Sequence, residues 1–211
     1  MKKNGVLIVL FVLPIVVYLF FASGVTNFGK LPILTENIPD LPNTQEGITL
    51  EGHITVLGFL GSDLELKKGN AFNLNQKIYK RFYEFKDFQF VMVLPEGTQG
   101  KVVELEQELA GLADTRKWHF VYATENDIQD FFEGLRTNLS LDKNTHTPYV
   151  FIVDKQRNLR GRAHDEDQGT KYGFDATSVA DLNNKMVDDV KIILAEYRMA
   201  LKKNNADRSA K

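Results

Sequence analysis

The chain has 211 residues, with 26 lysines and arginines against 28 aspartates and glutamates, and it contains no cysteine. The formal net charge of −2, without a basic stripe of interleaved aromatic residues, excludes the footprint of a nucleic-acid-binding protein. Without cysteine there is no disulfide exchange, no thiolate nucleophile and no thiolate ligand for a soft metal ion. Thiol-based functions are therefore excluded.

The N-terminal residues predict a membrane anchor. Lys2 and Lys3 precede an uncharged, mostly apolar run at 5–23, which meets the lower limit of about 18 residues for spanning a bilayer. The alternative is a cleaved signal peptide, but its apolar region is normally about 7–15 residues long, and 22–24 match a cleavage site poorly. We predict a cytoplasmic N-terminus at 1–4 and one transmembrane helix at 5–23. By the positive-inside rule the rest lies outside the cytoplasm, which for a bacterial inner membrane means the periplasm.

A proline-rich segment follows the predicted anchor. Residues 24–46 contain three of the six prolines in the chain, and such segments are extended and semi-rigid. They predict a periplasmic stalk, part of which can lie along the surface of the domain. Residues 47–203 are long enough for one domain with a substantial core, and 204–211 form a polar tail.

Strands and helices alternate in the predicted domain. Four short apolar runs predict buried strands: Ile54–Leu60, Phe88–Leu94, Trp118–Ala123 and Tyr149–Val153. The segments between them repeat apolar residues at threes and fours, which predicts helices and a largely parallel sheet. A turn at 155–158 predicts a hairpin with Leu159–Arg162, and a long last helix begins at the capping residues Ser178 and Asp181. This order predicts an α/β, thioredoxin-like mixed sheet flanked by helices.

Three features of the sequence resemble the SCO/SenC family, whose members are membrane-anchored thioredoxin-like proteins involved in copper delivery to cytochrome oxidase. The first is the order of basic N-terminus, single span, stalk and domain. The second is His146–Asp154, similar to the family's histidine followed by an apolar strand ending in aspartate. The third is Asn158–Gly161, followed by a loop and an amphipathic helix. The chain looks most like the degenerate members of Bacteroidetes-type bacteria, and the resemblance implies a link to oxidase assembly or copper handling.

The resemblance breaks at the turn after the first core strand, where the family carries Cys-x-x-x-Cys. By position, Asp63 and Lys67 replace the two cysteines, and of the family's copper ligands only His146 has a counterpart. Because Cu(I) prefers sulfur ligands and a protonated lysine repels cations, we expect no copper cofactor. Asp63 and Lys67 have the spacing of an ordinary i,i+4 ion pair, with Asp63 near the start of a helix.

His146 permits several interpretations. It can be a vestigial metal ligand, a general base or a polar residue of a loop. Thioredoxin-like folds generally place a cis-proline before the following strand, so fold analogy predicts a cis Thr147–Pro148 bond, although only about 5–6% of X-Pro bonds are cis. His53 and His119 lie in or beside strands and are predicted to be structural.

An acidic run follows the predicted hairpin. His164–Asp167, with Asp175 further on, lacks the spacing of a calcium-binding loop. We interpret it as a solvated, exposed excursion that can face a partner rather than as a metal site.

Three functional hypotheses result. The leading one is a non-catalytic, SCO-like accessory or binding module, held at the membrane by its N-terminal helix and bound to a membrane or periplasmic protein. The second is a metal-binding protein in which His146 and Asp63 or Glu65 bind a harder divalent ion. The third is an enzyme with His146 as the general base, which no nucleophile or cofactor motif supports.

Overall fold

The computed structural model describes residues 10–19, 29–42 and 47–209. Residues 10–19 are helical, and among the described residues no helix combines the length and the apolar character needed to cross a membrane. The remaining parts of the predicted span, 5–9 and 20–23, lie outside the described residues, as does the predicted cytoplasmic N-terminus. The transmembrane helix therefore stays a prediction.

A mixed sheet of seven strands forms the centre of the domain. Its strands are β1 (Ile33–Thr35), β2 (Ile54–Phe59), β3 (Phe88–Pro95), β4 (Trp118–Ala123), β5 (Tyr149–Val153), β6 (Leu159–Arg160) and β9 (Phe174–Asp175). The strand order is β1-β6-β5-β2-β3-β4, and β9 pairs with β5. β2, β3 and β4 are parallel, whereas β5 is antiparallel to β2 and β6 is antiparallel to β5. All four predicted core strands and the predicted hairpin are present.

Helices cover both faces of this sheet. α1 runs from Leu64–Leu74 through a π turn at Asn75–Tyr79 to Lys80–Phe82; α2 is Gln99–Ala110; α3 is Glu125–Glu133; and α4 runs from Val179–Asp181 through a π turn at Leu182–Met186 to Val187–Ser209. Apolar residues of α1, α2 and α4 belong to one core, and those of α3 belong to a second core on the other face. Because both faces are covered, every residue of β2 and β3 is buried.

The domain begins earlier than the sequence predicts. Ile33–Thr35, placed in the stalk, forms β1 and pairs antiparallel with β6. Leu31, Ile38 and Leu41 are buried in the cores. The predicted boundary at residue 47 is therefore wrong for this segment, because its apolar residues pack on the domain. Pro32 directly precedes the edge strand β1, a position where a missing N–H is tolerated.

The acidic run after the hairpin is largely built into the domain. Arg162–Asp165 and Gly169–Lys171 form strands β7 and β8 of a small separate sheet. Asp165 is buried and pairs with Lys185 at 2.8 Å, so a solvated loop is the wrong interpretation for Asp165. His164, Glu166 and Asp167 are exposed, as predicted.

The start of α4 is capped as predicted, with one difference. The Ser178 hydroxyl accepts the N–H of Asp181 at 3.2 Å. The Asp181 carboxylate does not complete a capping box, because it accepts the N–H of Asp175 at 2.8 Å and pairs with buried Lys171 at 2.9 Å. The cap thus also ties β8 and β9 to the last helix.

Candidate functional site

The turn after β2 lies directly against the loop before β5. Gly61 has a φ of +70°, and a Cβ there would lie 2.5 Å from the Asn144 carbonyl oxygen and 2.7 Å from the His146 Cβ. Only glycine accommodates both the left-handed backbone and this approach. The Ser62 N–H donates to the Asn144 carbonyl at 3.1 Å, and Leu60 and His146 form an isolated antiparallel bridge. The fold thereby places His146 beside the turn that replaces the family's cysteine motif.

The His146 side chain is only 5% exposed and is oriented by Asp142. Its Nδ1 lies 3.6 Å from Oδ2 of Asp142, whose Oδ1 accepts the backbone N–H groups of His146 at 3.0 Å and Asn144 at 2.8 Å. The Nε2 atom of His146 is buried and has no hydrogen-bond partner. Because Nδ1 faces a carboxylate, we assign the proton of the neutral ring to Nδ1, which leaves Nε2 as an unfilled acceptor.

Burial and the charge of Lys67 keep this ring neutral. Burial lowers the pKa of His146 below its ordinary value of 6.5, the positive charge of Lys67 lowers it further, and Asp142 opposes both without reversing them. Although burial acts to raise the pKa of Asp142, the backbone N–H groups of His146 and Asn144 hold it below its ordinary value. At neutral pH the site therefore combines a neutral imidazole with an ionised Asp142.

A pocket of about 450 Å³ opens at these residues, and we call it the His146 pocket. It is lined by Lys67, Asn70, Ser140, Leu141, Asp142, His146, Pro148 and Thr177. Within the described residues, neither the Lys67 ammonium group nor the Asn70 side chain forms an ion pair or a hydrogen bond. The pocket therefore holds one unpaired cation, one free amide and one unfilled buried acceptor.

Asp63 and Glu65 do not belong to this pocket. Asp63 occupies the N-cap position of α1 with φ −104° and ψ 64°, and its side chain makes no capping hydrogen bond. The predicted ion pair between Asp63 and Lys67 is wrong, because neither of these described residues forms an ion pair within the described part of the chain. Glu65 instead pairs with Lys68 at 3.1 Å, and Lys68 also pairs with Glu108 of α2.

The Thr147–Pro148 bond is trans, since no cis peptide bond occurs in the described part of the chain. The predicted cis bond is therefore wrong. The Thr147 N–H donates to the Phe59 carbonyl at 3.3 Å, and the Pro148 carbonyl accepts the Ala176 N–H at 2.9 Å. These two hydrogen bonds connect Thr147 to Phe59 and Pro148 to Ala176. They form with the trans isomer, which is the preferred form of an X-Pro bond.

The residues of the site do not fit copper. The two positions of the family's cysteines carry Asp63, which is not part of the pocket lining, and Lys67, whose charge opposes a bound cation. Across the residues that the structure describes, no group of three or more histidine, aspartate or glutamate side chains is placed to hold a metal ion. The predicted combination of His146 with Asp63 or Glu65 is likewise not brought together, so copper transfer does not follow from this geometry.

The other histidines lie elsewhere. His53 precedes β2, at the end of that strand opposite to Gly61, and its Nδ1 lies 3.1 Å from the Glu51 carbonyl. His119 lies in β4, where burial lowers its pKa and the neighbouring His53 lowers it further. Neither histidine lines the His146 pocket.

Sequence reasoning missed Asp142, Asn70 and Thr177. A local signal existed for Asp142, because an aspartate that accepts the N–H two residues ahead is typical of an Asx turn, and Asp142 is followed by Asn144. No local signal identifies Asn70 or Thr177, since each reaches the pocket only through the packing of its own element.

Comparisons with known proteins support the fold. No family model and no curated protein matches the sequence. A solved SCO1/SenC family lipoprotein from Bacillus anthracis is 18% identical and superposes with a TM-score of 0.52, over 77% of this chain and 97% of that one. Also similar are BsSco, described as a member of the Sco family of cytochrome c oxidase assembly proteins (13% identity, 73% and 95% coverage, TM-score 0.46), and the thioredoxin domain of a thiol-disulfide oxidoreductase from Bacteroides vulgatus (15%, 77% and 99%, 0.47). The latter two scores are too low to support a conclusion. The first likeness shows that this chain has a thioredoxin-like fold, one that a SCO/SenC family protein shares.

Proposed function

We propose that this chain is a membrane-anchored, periplasm-facing binding module with a SCO-like thioredoxin fold, and that it docks a membrane or periplasmic protein instead of exchanging thiols. The observation that carries the proposal is the His146 pocket. It lies at the turn where the family's cysteines stand and its lining contains no sulfur. Its Lys67 and His146 have polar groups that form no hydrogen bond or ion pair with a partner among the described residues, apart from the contact of His146 Nδ1 with Asp142. The resemblance to the SCO/SenC family connects this module to cytochrome oxidase assembly or copper handling.

A binding role agrees better with the site than a catalytic one. The pairing of His146 with Asp142 resembles a general base and its orienting carboxylate, which a nucleophile must complete. Ser140 and Thr177 line the pocket, but neither hydroxyl is hydrogen-bonded to Nε2 of His146, which has no partner. Among the described residues the base therefore has no nucleophile to activate, and its Nε2 acceptor stays unfilled.

Site-specific cross-linking in membranes tests this function. A photoreactive residue in place of exposed Lys143, next to Asp142, is expected to capture one discrete partner in the full-length chain. The same probe at exposed Arg116, before β4, is the matched control and is expected not to capture that partner. The Lys143 cross-link is expected to disappear when the variant Lys67→Gln is added. Equal capture from both positions, or capture that Lys67→Gln leaves unchanged, would contradict a docking role for this surface.

A further inference from the structure

We propose that the His146 pocket binds an α-carboxylate together with the N–H group next to it, the chemistry presented by the C-terminal residue of a peptide. This inference rests on the proposed docking function and specifies the group that the partner inserts. It follows from three features of the pocket: a cation without a direct contact, an unfilled acceptor and its size.

The pocket contains one cation and one anion, Lys67 and Asp142, and they differ in the contacts that each makes. Asp142 already accepts two backbone N–H groups and faces Nδ1 of His146, so both of its carboxylate oxygens have contacts within the chain. His146 is neutral at neutral pH because burial and Lys67 lower its pKa. The Lys67 ammonium group acts on Asp142 and His146 only through its charge, and among the described residues it forms no ion pair or hydrogen bond. A bound anion would therefore supply the direct contact that Lys67 lacks.

The geometry around Lys67 favours a carboxylate. Lys67 and Asn70 are three residues apart on α1, so their side chains are neighbours on one face of the helix. Together they offer an ammonium group and an amide N–H₂ to the two oxygens of one carboxylate.

The unfilled acceptor requires a hydrogen-bond donor close to this carboxylate. With its proton on Nδ1 toward Asp142, His146 presents only a lone pair at the buried, unpartnered Nε2. A simple carboxylate supplies no donor and would leave this acceptor unpaired. The last residue of a peptide carries an amide N–H on the carbon atom that bears its carboxylate. One terminal residue therefore satisfies Lys67, Asn70 and His146 together.

The size of the pocket suits such a ligand. Its volume of about 450 Å³ lies within the range of about 300–1,000 Å³ that is usual for small-ligand sites. Leu141 and Pro148 add apolar surface to the polar lining, against which the side chain of a terminal residue can pack.

Calorimetry of the full-length chain in detergent micelles tests the inference with defined probes. Acetyl-trialanine with a free C-terminus is expected to bind, and the same peptide with an amidated C-terminus is expected to bind at least tenfold more weakly. Lys67→Gln is expected to weaken binding of the free acid at least tenfold. Lys68→Gln is the matched control and is expected to bind normally, because Lys68 pairs with Glu65 and Glu108 outside the pocket.

The donor requirement is tested by an analogue in which an ester oxygen replaces the last amide N–H. We expect the wild-type chain to bind this analogue at least tenfold more weakly than the peptide, and His146→Leu to remove that difference. Tighter binding of acetyl-trialanine than of N-acetylalanine supports a protein C-terminus as the natural source, and equal binding supports a small N-acyl amino acid with the same chemistry.

Three results would overturn the inference: no binding of the free acid, equal binding of acid and amide, or equal losses in Lys67→Gln and Lys68→Gln. If the site-specific cross-link from position 143 persists in any of these cases, the docking function stands and only the ligand chemistry is wrong. If that cross-link is absent, the docking function itself fails.

Discussion

Two regions of this domain combine buried side chains with charge, and only one of them satisfies its polar groups within the chain. Where the C-terminal hairpin and the β-strands that follow it meet α4, the buried charges are paired: Arg160 with Asp154 and Glu196, Arg162 with Asp189, Lys185 with Asp165, and Lys171 with Asp181. In the His146 pocket, Nε2 of His146 and the Lys67 ammonium group have no partner among the described residues. A buried polar group without a partner is costly, so we interpret the first region as structural and the second as the binding site that we propose.

Arg160 shows how complete the pairing in the hairpin region is. Its guanidinium donates to the Leu31 carbonyl through Nε at 2.8 Å, to Asp154 through Nη1 at 2.9 Å and to Glu196 through Nη2 at 2.7 Å. One side chain, itself 4% exposed, thereby joins the segment before β1, the end of β5 and the middle of α4. All of these contacts are made within the chain.

The largest expected effect comes from breaking this pairing. Arg160→Met leaves the Asp154 carboxylate, whose side chain is 1% exposed, without its cation. We expect the free energy of unfolding to fall by about 3–5 kcal/mol, as when one partner of a buried ion pair is removed. Urea unfolding of the full chain, followed by the fluorescence of the single tryptophan, Trp118, measures the change.

Arg198→Met is the matched control, because Arg198 is an exposed arginine of the same helix. We expect its effect to stay within about 0.5 kcal/mol. A loss in Arg160→Met as small as that of the control would show that the paired region is not what holds the hairpin to α4.

The sequence predicts those parts of this comparison that depend on local pattern. The four core strands and α4 carry an apolar periodicity of their own, so their positions are correct almost to the residue. β1 carries no such pattern, because three residues at a sheet edge are specified by the partner strand β6. The bond between Arg160 and the Leu31 carbonyl joins positions 129 residues apart, and no local signal encodes it.

The sequence likewise predicts some parts of the candidate site and not others. The sequence identifies the turn near Asp63 and also His146, because the family resemblance covers both segments. It does not show that Lys67 rather than Asp63 faces the pocket, since that depends on where α1 begins. The sequence also does not predict the trans Thr147–Pro148 bond, because the isomer depends on the contacts of Thr147 and Pro148 with two other segments.

A second variant tests whether a buried polar group without a partner lowers the stability of the domain when no ligand is bound. Asn75 is fully buried at the start of the π turn in α1, and both its Oδ1 and its Nδ2 lack a hydrogen-bond partner. We expect Asn75→Leu to raise the free energy of unfolding by about 1–3 kcal/mol, because it removes two desolvated polar groups that form no hydrogen bond in the folded domain. The same urea titration measures it.

Asn73→Leu provides the control on the same helix. The Asn73 Nδ2 donates to the Ala176 carbonyl at 3.0 Å, so its replacement removes a bond that exists. We expect this variant to lose about 0.5–1.5 kcal/mol. If Asn75→Leu is destabilising to the same extent, then an unpartnered group in this domain does not mark an incomplete contact, and the interpretation of the His146 pocket weakens with it.

The smallest expected effect concerns the protonation of His146 itself. Its pKa in the folded chain is lowered from 6.5, first by burial and then by Lys67, so the unfolded chain takes up a proton at a pH where the folded chain does not. Protons therefore favour the unfolded state, and the stability that is fully present above pH 6.5 declines as the pH falls from there toward the folded pKa. We expect His146→Gln to make this decline shallower in urea titrations between about pH 7.5 and 5.5. Burial also lowers the pKa of His119, so we expect His119→Gln to do the same away from the pocket.

A slope that is unchanged in His146→Gln would mean that His146 takes up its proton as readily in the folded chain as in the unfolded one. Its Nε2 would then be a donor at mildly acidic pH, a bare anion would complete the pocket, and the requirement for a neighbouring N–H would no longer hold.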